Sequence, residues 1–315
     1  MSRLQNPTGH SYNRFTAKMA LDLAAPHTWP ASIVPVAIAV ALTIATGYQV
    51  SATLTVALLG ICILMQSSVN TFNDYYDYIK GTDSSDDNVD PTDAVLIYNN
   101  VNPTCALVFA IGLLVSAFIL GGYVIYHAGL IPLAIGAIGA VFVVLYSAGK
   151  TPISYLPLGE AVSGIVMGGL IPLASYQVLT GLLTPLAVLW AIPEILGIGL
   201  IMFTNNTCDI EKDALAHRRT LSVLLDRDKA RKLYHAVMWL WLVAIILIVG
   251  IFFTQGLIVL PFLLLSTYPL LKALRNNPLA PQSRQAAMSQ ICSANIALGA
   301  WYAAAILASN SVIVC

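Results

Sequence analysis

The sequence predicts an all-α integral membrane protein, and both its composition and the placement of its charges support that fold class. Of the 315 residues, 58% are hydrophobic and 10% are charged, with a mean hydropathy of +0.78. Soluble domains carry about 25% charged residues. Acidic and basic side chains are missing from four long runs, and a fifth run holds Glu194 alone; these runs cover residues 23–73, 94–149, 233–271, 285–315 and 161–208.

The five runs together accommodate about nine transmembrane helices around a central cavity. A spanning helix needs roughly 20 apolar residues. Four runs therefore fit a helical pair each, and the C-terminal run, 285–315, fits one helix. The turns within pairs read GYQVS, HAG, TGLL and QG, which contain common helix-interrupting residues. We expect helices near residues 31–48, 54–72, 104–126, 130–147, 161–180, 184–204, 233–254, 257–272 and 290–313.

These helices predict one transmembrane domain at 31–315, preceded by an N-terminal segment at 1–30, with acidic loops at 73–103 and 205–232. All 15 Lys and Arg lie in the N-terminal tail or in the loops between pairs. The positive-inside rule therefore places the N-terminus and the charged loops in the cytoplasm and the C-terminus outside, in a multi-pass protein of the plasma membrane. The N-terminal residues lack the apolar core of a signal peptide, so no cleavage is expected.

The five cysteines lack metal-type spacing and are expected to be free thiols rather than a disulfide framework. They are Cys62, Cys105, Cys208, Cys292 and Cys315.

Two acidic motifs end helices that lie four apart in the predicted order. The first is NTFNDYYDYIKGTDSSDDNVDPTD, residues 70–93, and the second is FTNNTCDIEKDALAHRRTL, residues 203–221. In each motif an asparagine precedes an aspartate by four positions, in the pairs Asn73/Asp77 and Asn205/Asp209. An offset of four helices preserves direction across the bilayer. The motifs therefore suggest two parallel four-helix repeats, followed by a ninth helix, with both acidic ends facing one cavity.

The spacing of these residues indicates a cation site. Side chains at i and i+4 stack on one helix face, and Asp213 continues the face of Asn205 and Asp209. Two opposed acidic faces repel unless a cation lies between them. Sets of Asp and Asn oxygens suit Mg²⁺, which binds through a few carboxylates together with substrate phosphates. A solvated loop is the alternative for DSSDDNVD taken alone; two matching faces at helix ends favour a shared metal–diphosphate site.

Further charged residues lie outside the two asparagine–aspartate pairs, and two of them, Lys150 and Glu194, have two interpretations each. Lys150 is the only Lys or Arg between Lys80 and Lys212, so it is either a topology anchor or a phosphate contact. Arg218 and Arg219 follow the second acidic face, whereas the basic residues from Arg227 to Lys232 suit lipid headgroups. Glu194 shares a face with Asn205 and either meets a polar cavity or marks a helix break at Pro193.

Three stretches resemble motifs of the UbiA-type intramembrane prenyltransferase superfamily: NDYYDYIKGTD, YSAGKTPISYLPLGE and NNTCDIEKDALAHRRTL. Within it, they look closest to the 1,4-dihydroxy-2-naphthoate polyprenyltransferases of menaquinone biosynthesis. The resemblance implies a nine-helix fold and a site open to the cytoplasm. It also implies Mg²⁺-dependent transfer of a polyprenyl group from prenyl diphosphate to an aromatic acceptor, which gives demethylmenaquinone from the naphthoate. The lipid bilayer is an expected partner, and nucleic acid is not.

The resemblance also implies roles for individual residues. The expected Mg²⁺ ligands are Asn73, Asp74, Asp77, Asp83, Asp209 and Asp213. The expected contacts of the prenyl diphosphate are Lys150, Arg219, Asn73 and Asn205. Catalysis is assigned to Asp77, Asp209 and Lys150.

The chain departs from the family pattern in its cations. The family usually carries an arginine where Ala25 stands, and the segment DPTDAVLIYNNVNP of the first acidic loop has no basic residue. This shortage leaves open a terpene cyclase, or a transferase with a non-quinone acceptor. A cation transporter is a third interpretation. It is disfavoured because transporters place their ion sites near the bilayer midplane, whereas these carboxylates gather at helix ends.

Overall fold

The computed structural model describes residues 12–81 and 94–309, and this part of the chain contains helices and no β-strand. The α-helices are α1 Ala17–Ala24, α2 Pro30–Ala45, α3 Ala52–Lys80, α4 Val95–Tyr98, α5 Pro103–Ala128, α6 Ile131–Leu145, α7 Gly159–Ser163, α8 Ile171–Thr180, α9 Pro185–Trp190, α10 Ile192–Cys208, α11 Ile210–Leu215, α12 Leu221–Phe252, α13 Leu260–Asn276 and α14 Arg284–Leu307. A π-helical segment, Gly164–Leu170, joins α7 to α8.

The predicted all-α, multi-pass membrane class is confirmed. Six helical segments are long and apolar enough to cross a membrane, and a seventh span results if Ala17–Thr28 and Pro30–Ala45, bent by 53°, count as one. A helix lies at each of the nine predicted positions. However, α6 has only 15 residues, and the predicted span 184–204 is divided at Ala191 into α9 and α10. Length and apolarity alone therefore support six or seven spans.

The second predicted helix is longer than expected. It runs from the N-cap Ser51 to Lys80 and ends at Gly81, whose φ of 66° suits glycine in a left-handed C-cap. Twenty-nine residues extend about 43 Å, which exceeds a hydrocarbon core of about 30 Å. The prediction of a loop at 73–103 is therefore wrong for residues 73–80, which belong to α3, and for Val95–Tyr98, which form α4.

The second acidic segment is also more helical than predicted. Helix α10 ends at Cys208, α11 follows directly, and α12 begins at Leu221 after the N-cap Thr220. Asp209 has non-helical angles (φ −101°, ψ 16°), so the predicted uninterrupted face from Asn205 to Asp213 is wrong. The Asp213 N–H nevertheless donates to the Asp209 carbonyl at 2.8 Å, which keeps the two residues one turn apart. Helix α12 is kinked at Asp226 (φ 63°).

The inner faces of α2, α9, α10, α12, α13 and α14 form the main core, where Trp190, Trp241, Tyr234 and Tyr302 are almost fully buried. A smaller cluster holds α1 and α4 against α3 and α5 through Leu23, Val95 and Leu96. Helix α1 is therefore packed onto the bundle. Four of the five cysteines, Cys62, Cys105, Cys208 and Cys292, are free thiols, and Cys315 lies outside the described residues.

The π-helical segment lies close to α10 because of two glycines. A Cβ at Gly168 would lie 2.6 Å from the carbonyl oxygen of Glu194, and one at Gly164 would lie 2.5 Å from the carbonyl oxygen of Ile195. Such a small-residue contact lets helix backbones approach in a membrane. It sets the position of α10, which carries the second acidic motif.

Replacement of Gly168 by alanine is expected to lower thermal stability, because the added methyl group meets backbone atoms that have little freedom to move. Overpacking of this kind costs about 1–3 kcal/mol. The matched control is Gly122→Ala, since nothing lies within 4 Å of the Cβ position at Gly122. Thermal unfolding in detergent should show a lower melting temperature for Gly168→Ala only. Equal melting of both variants would disprove the close approach.

Candidate active site

One cavity of about 900 Å³ lies within the bundle, where the ends of α3 and α10 meet the start of α14. We call this end, which contains Asp77, Asp209, Asp213, Arg218 and Arg284, the acidic end. The rest of the wall is largely apolar and comes from α5, α6, the π-helical segment and α8; it includes Ala117, Gly121, Val124, Gly136, Gly139, Val143, Met167 and Ala174. The cavity therefore joins a charged end to a long apolar compartment.

The first acidic face lies on the last turns of α3. Asn73 donates through Nδ2 to Asp77 Oδ2 at 3.3 Å, as expected for residues four apart on one helix. The Ser147 hydroxyl, after the end of α6, donates to Asn73 Oδ1 at 3.0 Å. Asp77 also accepts a hydrogen bond from the Arg218 guanidinium. The predicted Asn73/Asp77 pair is thus formed and faces the cavity.

Asp74 contributes to the cavity wall but has a structural partner. Its carboxylate accepts hydrogen bonds from the backbone N–H groups of Val95 at 2.8 Å and Leu96 at 3.4 Å. Both groups belong to the first turn of α4, where free N–H donors favour an acidic cap. Asp74 therefore ties α4 to α3, and it lines the cavity beside Asp77.

The second acidic face is held by an arginine from the far end of the chain. Arg284, the first residue of α14, donates from Nε to both carboxylate oxygens of Asp209 at 3.0 Å. Its second terminal nitrogen donates to Asn205 Oδ1 at 2.6 Å. One guanidinium thus joins both residues of the N-x-x-x-D pair, because Nε is shared between the two carboxylate oxygens and the terminal nitrogen contacts the amide.

Arg218 links the two acidic faces. It pairs with Asp77 of α3, and its other terminal nitrogen lies 3.6 Å from Asp213 of α11. Its guanidinium lies 4.8 Å from the centre of the Tyr155 ring. Burial disfavours the charged guanidinium, but the carboxylates of Asp77 and Asp213 outweigh that effect and raise the pKa of Arg218. Arg218 is therefore a permanent cation at the centre of the site.

Asp213 is the carboxylate whose charge is least compensated. It is 3% exposed, and burial raises its pKa to about 7, an effect that Arg218 opposes and Asp209 reinforces. A separation of 3.6 Å is too long for a hydrogen bond, so Arg218 offsets only part of the desolvation. Asp213 is thus positioned to release a proton when a cation binds.

Two of the predicted diphosphate contacts lie outside the cavity wall. Lys150 is exposed in the loop after α6, and Arg219 is exposed while its backbone N–H donates to the Tyr155 carbonyl at 2.9 Å. The cavity-lining cations of the described chain are instead Lys212, Arg218 and Arg284. The predicted ligand Asp83 lies outside the described residues.

The sequence places Arg218 near the second face but favours Arg219 as the diphosphate contact, and it indicates only a topology charge for Arg284. The available signal for Arg284 was its position as the last charge before the final uncharged run. Glu194 is buried at the start of α10, directly after the break at Ala191, and is not part of the cavity wall. The helix-break interpretation of Glu194 therefore agrees with the structure.

The donor set at the acidic end fits Mg²⁺. Within the described chain, no three His, Cys, Asp or Glu side chains form a ready-made metal cluster. Mg²⁺ does not require one, since it keeps several waters and is bound by one or two carboxylates together with substrate phosphates. Asn73, Asp77, Asn205, Asp209 and Asp213 supply oxygen donors from both sides of the cavity. The guanidinium groups of Arg218 and Arg284 suit phosphate oxygens.

Comparisons with known proteins identify the relatives of this chain. The model of the UbiA prenyltransferase family matches residues 32–298. The chain is 32% identical over 230 residues to 1,4-dihydroxy-2-naphthoate octaprenyltransferase of Bacillus subtilis (strain 168), covering 72% of this chain and 73% of that protein. It is 29% identical over 240 residues to UbiA prenyltransferase domain-containing protein 1 of Danio rerio, covering 70% and 68%.

A solved structure shares the fold at low identity. It is the structure of a UbiA homolog from Archaeoglobus fulgidus bound to GPP and Mg²⁺, with a TM-score of 0.63 and 15% identity, over 92% of this chain and 99% of that one. This likeness supports the helical arrangement described above.

Adjacent arginines provide a test of the acidic end. Because Arg218 lines the cavity and Arg219 does not, Arg218→Ala should weaken binding of inorganic diphosphate with Mg²⁺ by about 10- to 100-fold, the value of a charge-assisted hydrogen bond. Arg219→Ala should change it less than about threefold, as for an exposed charge. Isothermal titration of the detergent-solubilised protein gives both values. A larger effect of Arg219→Ala would return the diphosphate contact to that residue.

The pKa of Asp213 predicts a pH dependence of metal binding. A carboxyl group with a pKa near 7 is protonated at lower pH, and a protonated carboxyl cannot ligate Mg²⁺. The Mg²⁺ concentration at half-saturation, with diphosphate present, should therefore be about tenfold higher at pH 6 than at pH 8. Asp213→Asn should raise this concentration and make it less dependent on pH than in the wild-type protein, since the diphosphate alone then contributes to that dependence. A wild-type value that does not change with pH would contradict the assignment.

Proposed function

Because the chain belongs to the UbiA prenyltransferase family and is therefore a prenyltransferase, we propose that it transfers a polyprenyl group from a prenyl diphosphate to 1,4-dihydroxy-2-naphthoate. The reaction depends on Mg²⁺ and gives the reduced quinol form of demethylmenaquinone. The observation that carries this proposal is the form of the cavity, in which two opposed acidic faces and two arginines adjoin a long apolar compartment. A diphosphate headgroup and a hydrocarbon chain need these two environments side by side.

Residues of the acidic end act on the diphosphate. Asn73, Asp77, Asn205, Asp209 and Asp213 would hold Mg²⁺, with Asp74 behind the first face. Asp83, which lies outside the described residues, belongs to the same proposed ligand set. Bound Mg²⁺ supplies neutralisation of the phosphate charge.

Arginines complete the stabilisation of the leaving group. Arg218 and Arg284 donate hydrogen bonds to phosphate oxygens and stabilise the negative charge that develops as the allylic C–O bond breaks. The diphosphate leaves with the electron pair of that bond, and a ring carbon of the acceptor forms the new C–C bond. The acceptor carboxylate departs as CO₂, and its bonding electrons restore the aromatic ring.

The apolar compartment accommodates the prenyl chain and opens towards lipid. Phe118 of α5 and Leu133 of α6 line the cavity, and these residues are 40% and 36% exposed. Small residues, including Gly121 and Gly136, widen the space between these helices. A long chain can therefore pass between α5 and α6 into the bilayer, so the compartment does not have to enclose all of it.

The choice of a naphthoate acceptor rests on similarity and on the cations of the cavity. The identity to the Bacillus subtilis naphthoate octaprenyltransferase extends over most of both chains. The absence of arginine at Ala25 favours an acceptor without a carboxylate. However, Lys212, Arg218 and Arg284 line the cavity and supply positive charge from other positions. A carboxylated ring is thus electrostatically acceptable.

The membrane arrangement forms part of the same proposal. The ends of α3 and α10 lie at the same end of the bundle, as two parallel repeats require, and the lysines and arginines gather there. We therefore place the acidic end at the cytoplasmic face of the plasma membrane, with nine spans in the domain 31–315 and the segment 1–30 in the cytoplasm. The short helix α6 and the broken pair α9–α10 count as spans in this arrangement.

Prenyl transfer by the reconstituted chain tests the proposal. Protein in lipid vesicles receives Mg²⁺, a series of prenyl diphosphates and either 1,4-dihydroxy-2-naphthoate or 4-hydroxybenzoate. We expect a prenylated naphthoate product and CO₂, a loss of at least 100-fold in Asp77→Ala and Asp209→Ala, and no product after chelation of Mg²⁺.

The outcomes of this assay separate the alternatives. Release of diphosphate without an adduct would identify a cyclase or a different acceptor and overturn the naphthoate assignment. Absence of both product and diphosphate release would contradict the transferase reaction itself. Lys150→Ala, a variant of an exposed lysine, distinguishes a direct phosphate contact from a topology charge, since only a contact changes the KM for prenyl diphosphate.

A further inference from the structure

A buried glutamate–asparagine pair lies beside the acidic end, and none of the roles above accounts for it. Asn206, next to Asn205 on α10, donates from Nδ2 to Glu160 Oε1 at 2.8 Å. Glu160 belongs to α7 and to the sequence YLPLGE. Both residues are buried, with Glu160 7% exposed and Asn206 8% exposed. Asn206 lines the cavity, while Glu160 lies behind it. Moving a carboxyl group and an amide out of water costs free energy unless all their polar atoms form hydrogen bonds.

The pair has one defined orientation. A carboxylate oxygen accepts hydrogen bonds and an amide nitrogen donates them, so the atom of Asn206 nearest Glu160 has to be Nδ2. The carbonyl oxygen, Oδ1, then lies on the other side of the amide. Within the described chain it has no hydrogen-bond donor, and it is not among the enclosed polar atoms without a partner. Glu160 thus fixes Asn206 so that an acceptor oxygen faces the cavity.

The second oxygen of Glu160 points to the same task. Glu160 Oε2 is fully enclosed and has no partner among the described residues. A buried oxygen without a hydrogen-bond partner destabilises the folded state. Replacement of Glu160 by an apolar residue would remove that cost but would also release Nδ2 of Asn206. Glu160 therefore lowers the stability of the folded chain but keeps the Asn206 amide in one orientation.

The position of Asn206 identifies what it binds. Asn206 follows Asn205, whose side chain contacts Arg284 at the diphosphate end, so both residues lie at the same depth in the cavity. The hydroxyl of Tyr146, on the wall nearby, lies 3.4 Å from the Cβ position of Gly159, the residue before Glu160. An amide carbonyl oxygen held here by a carboxylate suits a ligand that carries a hydrogen-bond donor beside the reacting carbon. A prenyl chain has no donor, and a diphosphate at neutral pH chiefly accepts.

We propose that Asn206, held in place by Glu160, accepts the hydrogen bond of a ring hydroxyl of the aromatic acceptor and so selects hydroxylated rings. Asn206 is the contact residue, and Glu160 is a positioning residue that acts through it. The hydrogen bond draws the hydroxyl proton away from its oxygen and increases the electron density of the ring as the new C–C bond forms. This inference rests on the proposed function, because it concerns the acceptor half of that reaction.

Acceptor selectivity tests the inference. Vesicles that contain the full chain receive Mg²⁺, geranyl diphosphate and either 1,4-dihydroxy-2-naphthoate or its 1-O-methyl or 4-O-methyl ether. The measured quantity is the ratio of kcat/KM for the free hydroxyl to kcat/KM for each ether. A site built to bind a hydroxyl rejects an analogue without the donor by a large factor, so the wild-type ratio should be about 100 or more for one ether.

The variants separate the contact from the fold. Asn206→Ala should reduce that ratio to below about 10, while the KM for geranyl diphosphate changes less than about threefold. Glu160→Leu should reduce it similarly, since Nδ2 loses its acceptor. Glu160→Gln should keep most of it, because a glutamine oxygen still accepts from Nδ2. Asn295→Ala is the matched control, since Asn295 is a cavity-lining asparagine placed deeper on α14, and it should keep the wild-type ratio.

Each outcome decides between the two proposals. A wild-type ratio in Asn206→Ala, or an equal loss in Asn295→Ala, overturns the role of Asn206. An equal loss in Glu160→Gln and Glu160→Leu at unchanged melting temperatures overturns the positioning role of Glu160. If Glu160→Leu does not fold, the Asn206→Ala and Glu160→Gln results decide the question. Failure of the wild-type chain to prenylate the naphthoate overturns both the proposed function and this inference. A variant result alone does not overturn the proposed function.

Discussion

The repulsion between carboxylates that face one another across a partly dehydrated cavity determines how this protein is built. Asp77 and Asp209 project from helices of the two halves of the chain, and like charges at short distance interact strongly where water is scarce. The folded chain compensates each of them with an arginine, Arg218 for Asp77 and Arg284 for Asp209. Asp213 receives less compensation, since Arg218 lies 3.6 Å away. The pKa of Asp213 is therefore raised by burial. The site is thus held together by cations of the protein while it keeps oxygen donors for a cation of the substrate complex.

The surrounding fold serves this balance of charge. Arg218 reaches Asp77 because a short turn brings the chain back after α11, with the Arg218 N–H bonded to the Asp213 carbonyl at 2.8 Å and His217 at a positive φ of 56°. Arg284 reaches Asp209 because α14 begins beside the break between α10 and α11. Gly164 and Gly168 of the π-helical segment lie against the backbone of α10. This close packing sets the position of α10, and with it that of the second acidic face. Packing of apolar helices therefore decides which charges meet.

The sequence predicted much of this and missed what depends on loop geometry. The uncharged runs located the helices, and the i, i+4 spacing predicted the Asn73/Asp77 pair, because both depend on local periodicity alone. Of the adjacent Arg218 and Arg219, only the turn decides which enters the cavity, and the backbone bond from Arg219 to the Tyr155 carbonyl directs its neighbour inward. The pairing of Arg284 with Asp209 joins residues 75 positions apart, and no spacing rule foresees such a contact. The break at Asp209 escaped prediction for a different reason, since no proline or glycine marks it.

Helix α10 shows how one short segment divides the chemistry of the site. Asn205 and Asn206 are adjacent and identical in composition, but an α-helix turns them about 100° apart, so they meet different partners. Asn205 meets Arg284 and joins the half of the site that binds the diphosphate. Asn206 meets Glu160 and presents its carbonyl oxygen to the cavity. Because a carboxylate behind an amide permits only one orientation of that amide, the difference between the two residues arises from the charge of the neighbour. A transferase has to hold a leaving group and an attacking ring against the same carbon, and adjacent positions on one helix accomplish this without any movement of the backbone.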